Sequence, residues 1–89
     1  MISSRAQEIY SAEFDARFFK LPPQVRARLE AKISELGSRL DRFPHHRLQG
    51  STDCRLRVGD YRVIYHFDLA ARRLFLITLG HRREIYRDL

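Results

Sequence analysis

Arg55, Arg57 and Arg62 stand within eight residues of one another in the run Cys54-Arg55-Leu56-Arg57-Val58-Gly59-Asp60-Tyr61-Arg62-Val63-Ile64-Tyr65-His66. A guanidinium is a planar, permanently charged fork of donors that grips phosphate or carboxylate oxygens in pairs and does not in practice exchange its proton. Three of them on one surface hold an anion well and make a poor base. Whether they share a surface depends on the element that carries them. Two runs rich in β-branched and aromatic residues flank Gly59-Asp60, whose glycine supplies the positive φ of a two-residue hairpin turn. With Gly59 and Asp60 as the loop, Val58 lies opposite Tyr61, Arg57 opposite Arg62, Leu56 opposite Val63 and Arg55 opposite Ile64. Side chains alternate faces along a strand, so Leu56, Val58, Tyr61 and Val63 share one face and the three arginines the other. Like charges directly opposite one another destabilise a sheet. A neutralising anion would explain the arrangement; a solvated, arginine-rich outer face is the plainer alternative.

The remaining elements must support that hairpin. The chain has 89 residues, room for one domain, and a formal charge of +6 that points to an acidic partner: nucleic acid, an acidic protein segment or an anionic surface. Of its 17 basic residues all but Lys20 and Lys32 are arginine, which suits the holding of phosphate. Cys54 is the sole cysteine, so no internal disulfide or cysteine-based zinc site is expected. No apolar leader follows Met1 and no stretch approaches a membrane span, which makes the cytoplasm the default expectation.

Gln7 to Ser11 reads as a short strand. Ser11 then caps a helix whose Phe14, Phe18 and Leu21 recur at helical spacing, with Glu13 and Asp15 in the first turn and Pro22 as its limit. From Pro23, the apolar positions Val25, Leu29, Ile33, Leu36 and Leu40 mark an amphipathic helix closing at Gly37 or running to Arg42, with Arg26–Glu30 and Glu35–Arg39 pairs on its wet face. Phe43 to Asp53 reads as loop, including His45-His46, which have no carboxylate or cysteine at ligand spacing. Tyr61 to Asp68 is a long strand, Leu69 to Arg72 a turn, and Leu74 to Leu79 an apolar strand of the kind covered on both faces. His81 to Arg87 is a polar, basic and aromatic tail. The expected fold class is α+β, an N-terminal helical hairpin packed on one face of a small, mainly antiparallel sheet.

Three fragments in this order resemble the RelE branch of the RelE/ParE toxin superfamily of type II toxin–antitoxin systems. They are Leu48-Gln49-Gly50, then Arg55 through Tyr65, then Leu79-Gly80-His81-Arg82-Arg83-Glu84-Ile85-Tyr86. The resemblance spans the chain from about Gln7 and implies a single RelE-like toxin domain over residues 1–89 with a microbial-RNase-type fold. RelE-type members are ribosome-dependent endoribonucleases that cut mRNA without a metal or other cofactor. ParE-type members share the fold and inhibit DNA gyrase, and an inactive antitoxin-binding relative is a further alternative. By the same resemblance a cognate antitoxin wraps the domain with an acidic or amphipathic segment, and the complex binds operator DNA.

The resemblance implies a site made of Arg55, Arg57, Arg62, His81, Arg82 and Tyr86. Metal-free RNA cleavage needs a 2′-hydroxyl to lose its proton, phosphoryl charge to be held, and the 5′-oxygen to be protonated. Arg55, Arg57 and Arg62 fit the second task, Arg82 and Arg83 would clamp phosphates, and Tyr86 would stack on or position a nucleotide. Where the best-known RelE pattern has lysines, this chain has Arg55 and Arg57, so proton transfer falls to His81, whose residue type titrates near neutrality. His66, on the strand face of Arg62 and Ile64, is either a second proton-transfer group or a hydrogen-bonded sheet histidine. Cys54 reads as a small sheet residue.

Overall fold

Apolar residues alternating with polar ones on either side of Gly59-Asp60 build the centre of the protein. A computed structural model describes residues 5–85. The chain runs β1 (Gln7–Tyr10), α1 (Ala12–Phe18), α2 (Pro23–Ser38), β2 (His46–Arg47), β3 (Cys54–Val58), β4 (Tyr61–Asp68), β5 (Arg73–His81) and α3 (Arg82–Ile85). The five strands form one mixed sheet in the order β1-β5-β4-β3-β2, parallel only between β1 and β5. This is the expected α+β arrangement. Gly59 turns the β3–β4 hairpin with a φ of 60° while Asp60 keeps a negative φ, the pattern of a II′ turn. The hairpin register is the expected one: Val58 faces Tyr61, Arg57 faces Arg62, Leu56 faces Val63 and Arg55 faces Ile64.

Local signals in the helices are obeyed. Ser11 caps α1 by accepting the Phe14 N–H at 3.0 Å, and its hydroxyl donates to the Ile77 carbonyl of β5, tying the helix start to the sheet. Pro23 opens α2, where no amide donor is needed. Leu29, Ile33 and Leu36 of α2 and Phe14 and Phe18 of α1 pack with Leu56, Val63, Leu74, Leu76 and Leu79 in a single core. Both helices therefore cover the same face of the sheet. Glu35 pairs with Arg39 at 3.3 Å as expected; its other partner is Lys32 at 3.4 Å. Arg26–Glu30 is not among the ion pairs of the described residues.

Four features differ from the sequence reading. His46–Arg47, expected in a loop, form a short strand against Arg55 and Cys54. Strand β5 continues through Gly80 to His81, and residues 82–85 of the expected polar tail form a helical turn. The β4–β5 register slips by one between Ile64 and Tyr65, so Ile77 is an extra residue on β5. Finally, β5 is not covered on both faces: Leu74, Leu76 and Leu79 are buried under the helices, but Phe75 on the other face is only half-buried. At one end of that outer face Ile85 of α3 folds back to within 3.8 Å of where a Gly80 side chain would begin.

Candidate active site on the outer face of the sheet

Directly paired residues on neighbouring strands project from the same face, so the register writes the outer face out in rows. The row nearest the hairpin turn holds Arg57, Arg62 and Gly80; the next holds His46, Arg55, Ile64 and Thr78. Continuing from Cys54 opposite Tyr65, the third row holds Asp53, His66, Phe75 and Ile9. The structure thus brings Arg55, Arg57 and Arg62 together, with Arg55 diagonal to both Arg62 and His66.

Arg62 is the most unusual member. It is 4% exposed, a burial that charged residues seldom reach without a counter-charge. Its Nη1 donates to the Gly59 carbonyl at 2.8 Å and the Tyr61 carbonyl at 2.9 Å, so the guanidinium curls over its own turn. Its Nε–H is buried with no hydrogen-bond partner, and no carboxylate pairs with it among the described residues. A buried donor left unmade costs roughly 1–3 kcal/mol. An anionic oxygen at that point would remove the cost and neutralise the opposed Arg57, which is exposed and likewise has no ion pair among the described residues.

His81 does not join this face. It pairs with Tyr61, whose ring turns toward the helices, and the two rings meet edge-on at 5.8 Å. The register sets Gly80, not His81, opposite Arg62, so His81 follows the arginine face in the chain without lying on it. His81 instead borders a cleft of about 590 Å3 with Arg17, Lys20, Tyr61 and Glu84. Its Nδ1 accepts the Arg83 N–H at 3.3 Å, which caps α3 and leaves the ring proton on Nε2. Arg82 is bound to the hairpin turn: its N–H donates to the Asp60 carbonyl at 2.7 Å and its Nε lies 3.9 Å from the Asp60 carboxylate. Arg82 and Arg83 are both exposed. Tyr86 lies outside the described residues.

Two features of the neighbourhood are additional to the sequence reading. Arg28 of α2 lies over Gly59, so that a side chain there would begin 2.9 Å from its Nη2; Arg28, Lys32 and Arg57 border a groove of about 370 Å3. On the third row, His66 Nδ1 lies 3.7 Å from Asp53 Oδ1, and the His66 ring is 6.0 Å from that of Phe75.

On the helix side of the same strands, Cys54 and Tyr65 are fully buried. Burial pushes the Cys54 thiol up, against a smaller opposing pull from Arg47, and burial likewise raises the Tyr65 phenol well above its usual range. Cys54 is thus the sheet residue that its isolation in the sequence suggested. His45 donates from Nε2 to the Leu40 carbonyl at 2.7 Å and accepts the Tyr65 hydroxyl at Nδ1 at 2.7 Å, stacked on Phe67 at 3.9 Å.

With this geometry established, comparison with known proteins gives a family. The model of the ParE toxin of type II toxin–antitoxin systems (parDE) matches residues 2–86. The chain belongs to this family. It therefore sits in the RelE/ParE superfamily, as the three sequence fragments implied. The fold is similar to that of RelE in the RelB–RelE antitoxin–toxin complex of Methanococcus jannaschii, with a TM-score of 0.70 at 20% identity over 91% of this chain and 98% of that one. It is also similar to the toxin–antitoxin complex RelBE2 of Mycobacterium tuberculosis (0.72, 19%, 91% and 95%). The isolated Escherichia coli RelE toxin gives 0.71 at 20% identity over 94% and 99%. At these identities the likeness is one of fold. No curated protein sequence matches the chain.

Proposed function

We propose that this toxin is a ribosome-dependent endoribonuclease that cuts mRNA through attack of a 2′-hydroxyl on the adjacent phosphorus. The observation that carries the reading is Arg62: buried, charged, with an unmet Nε donor, directly opposite Arg57. A scissile phosphate seated there would receive fixed positive charge as its oxygens become more negative, and the guanidiniums would need little reorganisation to provide it. Arg55 extends the same charge along the strand, and Arg82 and Arg83 would grip a flanking phosphate beside the turn. Tyr86 would stack on a base. The reaction leaves a 2′,3′-cyclic phosphate and needs no metal, as the RelE resemblance implies.

A cognate antitoxin follows from the family and from the RelB partners of the similar RelE proteins. An acidic or amphipathic segment would offset the +6 charge, and the complex would bind operator DNA. The matching family model favours one second reading, a ParE-like inhibitor of DNA gyrase. In vitro translation with primer-extension mapping, run beside a gyrase supercoiling assay, separates the two. The endoribonuclease reading expects discrete cuts in the translated message with wild-type protein and strongly weakened ones with Arg62→Ala. Intact message together with blocked supercoiling would replace it by the second reading.

A further inference from the structure

We infer that His66, oriented by Asp53, is the group that takes the 2′-hydroxyl proton; the inference rests on the endoribonuclease reading and deepens it. Three observations carry it. His66 is the histidine of β4 on the arginine face, diagonal to Arg55 across the hairpin, and diagonal neighbours stand roughly 7–8 Å apart. A 2′-hydroxyl and its 3′-phosphate fit between two such residues. Second, Asp53 Oδ1 lies 3.7 Å from His66 Nδ1, slightly longer than a hydrogen bond, as catalytic contacts often are before substrate binds. A carboxylate on that side holds the proton on Nδ1 and leaves the Nε2 lone pair free to accept another. Third, the other histidines near the arginines lack this arrangement: His81 turns toward the helices with its Nδ1 engaged by Arg83, and His46, opposite Arg55 on β2, has no carboxylate partner among the described residues.

The step balances as follows. The 2′-O–H bond breaks and its proton passes to His66 Nε2 while the 2′-oxygen bonds to phosphorus. The P–O5′ bond breaks, and its electron pair leaves with the 5′-oxygen. Water protonates that oxygen, and the hydroxide left behind is neutralised by the proton that His66 then releases. The products are a 2′,3′-cyclic phosphate and a 5′-hydroxyl. His66 is the catalytic residue and Asp53 a positioning residue. Phe75, on the other side of the His66 ring, offers an apolar surface against which the base of the same nucleotide can rest.

The test is single-turnover cleavage of message on programmed ribosomes by the full-length protein, measured against pH. The charged and titratable groups on this face are His46 on β2, Asp53 just before β3, Arg55 and Arg57 on β3, Arg62 and Asp68 on β4 and Arg73 on β5; Asp53 is the carboxylate that pairs with His66, at 3.7 Å. Loss of a general base lowers the rate by about 10²–10⁴-fold, expected for both His66→Ala and His66→Gln, together with loss of the rise in rate across the histidine range. RNA affinity and melting temperature stay near wild type, because both side chains of the pair are more than a third exposed. Asp53→Asn lowers the rate less and flattens the same rise, and Asp53→Glu restores it. Wild-type rates in both His66 variants overturn this inference alone, as does a lowered rate with an unchanged pH profile. A wild-type protein that cuts nothing while remaining folded overturns the endoribonuclease reading and this inference together.

Discussion

The two faces of this sheet treat their buried polar groups in opposite ways. On the helix side, His45 uses both ring nitrogens, one on the Leu40 carbonyl and one on the Tyr65 hydroxyl, and its ring is stacked on Phe67. On the outer side, Arg62 is as deeply buried as many core residues, yet its Nε has no partner and Arg57 faces it directly. A polar group that folding alone requires is hydrogen-bonded, because the folded state has nothing else to offset its desolvation. The contrast separates residues that hold the fold from residues kept ready for an anion.

The largest effect that would sharpen this contrast is at Arg62. Arg62→Ala is expected to lower message cleavage by about 10²–10³-fold, the usual loss for one preorganised donor to developing charge. Arg62→Lys is expected to restore little, because an ammonium cannot span the two turn carbonyls and present a planar fork to a phosphate. Quantitative primer extension reads both.

Tyr65→Phe tests the opposite face. It leaves His45 Nδ1 without its donor and is expected to cost about 1–3 kcal/mol in chemical denaturation while cleavage stays intact. Loss of cleavage without loss of stability would erase the distinction between the faces. Ser11→Ala removes the α1 cap and its tie to Ile77, for an expected loss of about 1 kcal/mol, again with cleavage retained.

The smallest effect is a gradual one with pH. The folded Cys54 thiol titrates above its ordinary value of 9.0, and the Tyr65 phenol above 10.0, both through burial. Groups raised in the folded state contribute stability below their unfolded values and lose it as pH climbs through the folded ones. Melting temperature is therefore expected to hold up to pH 9 and decline above it, with a shallower decline in Cys54→Ala.

Much of this was legible in the sequence because the signals are local. Ser11 before Phe14, Pro23 before an apolar stripe, and Gly59-Asp60 between β-rich runs each determine structure through neighbours a few residues away. The hairpin register follows from the turn, and with it the shared face of Arg55, Arg57 and Arg62. Carrying that register past Arg55 also sets Asp53 opposite His66, so the pair was within reach of the same arithmetic. What escaped depends on distant pairing. A two-residue strand such as His46–Arg47 has too few side chains to show a period. The side of the sheet taken by His81 depends on how β5 meets β4, a register that slips at Ile77 and leaves no mark in composition.

The most direct measurement sets charge reversal on one face against charge reversal on the other. Arg57→Glu on the outer face and Arg39→Glu at the C-cap of α2 change net charge equally, and both side chains are exposed. Cleavage of message on programmed ribosomes, followed for both variants at matched ionic strength, is expected to vanish with Arg57→Glu and to persist with Arg39→Glu. Equal losses from the two substitutions would contradict the account, since the basic charge as a whole, and not the arginine face, would then be what the RNA meets.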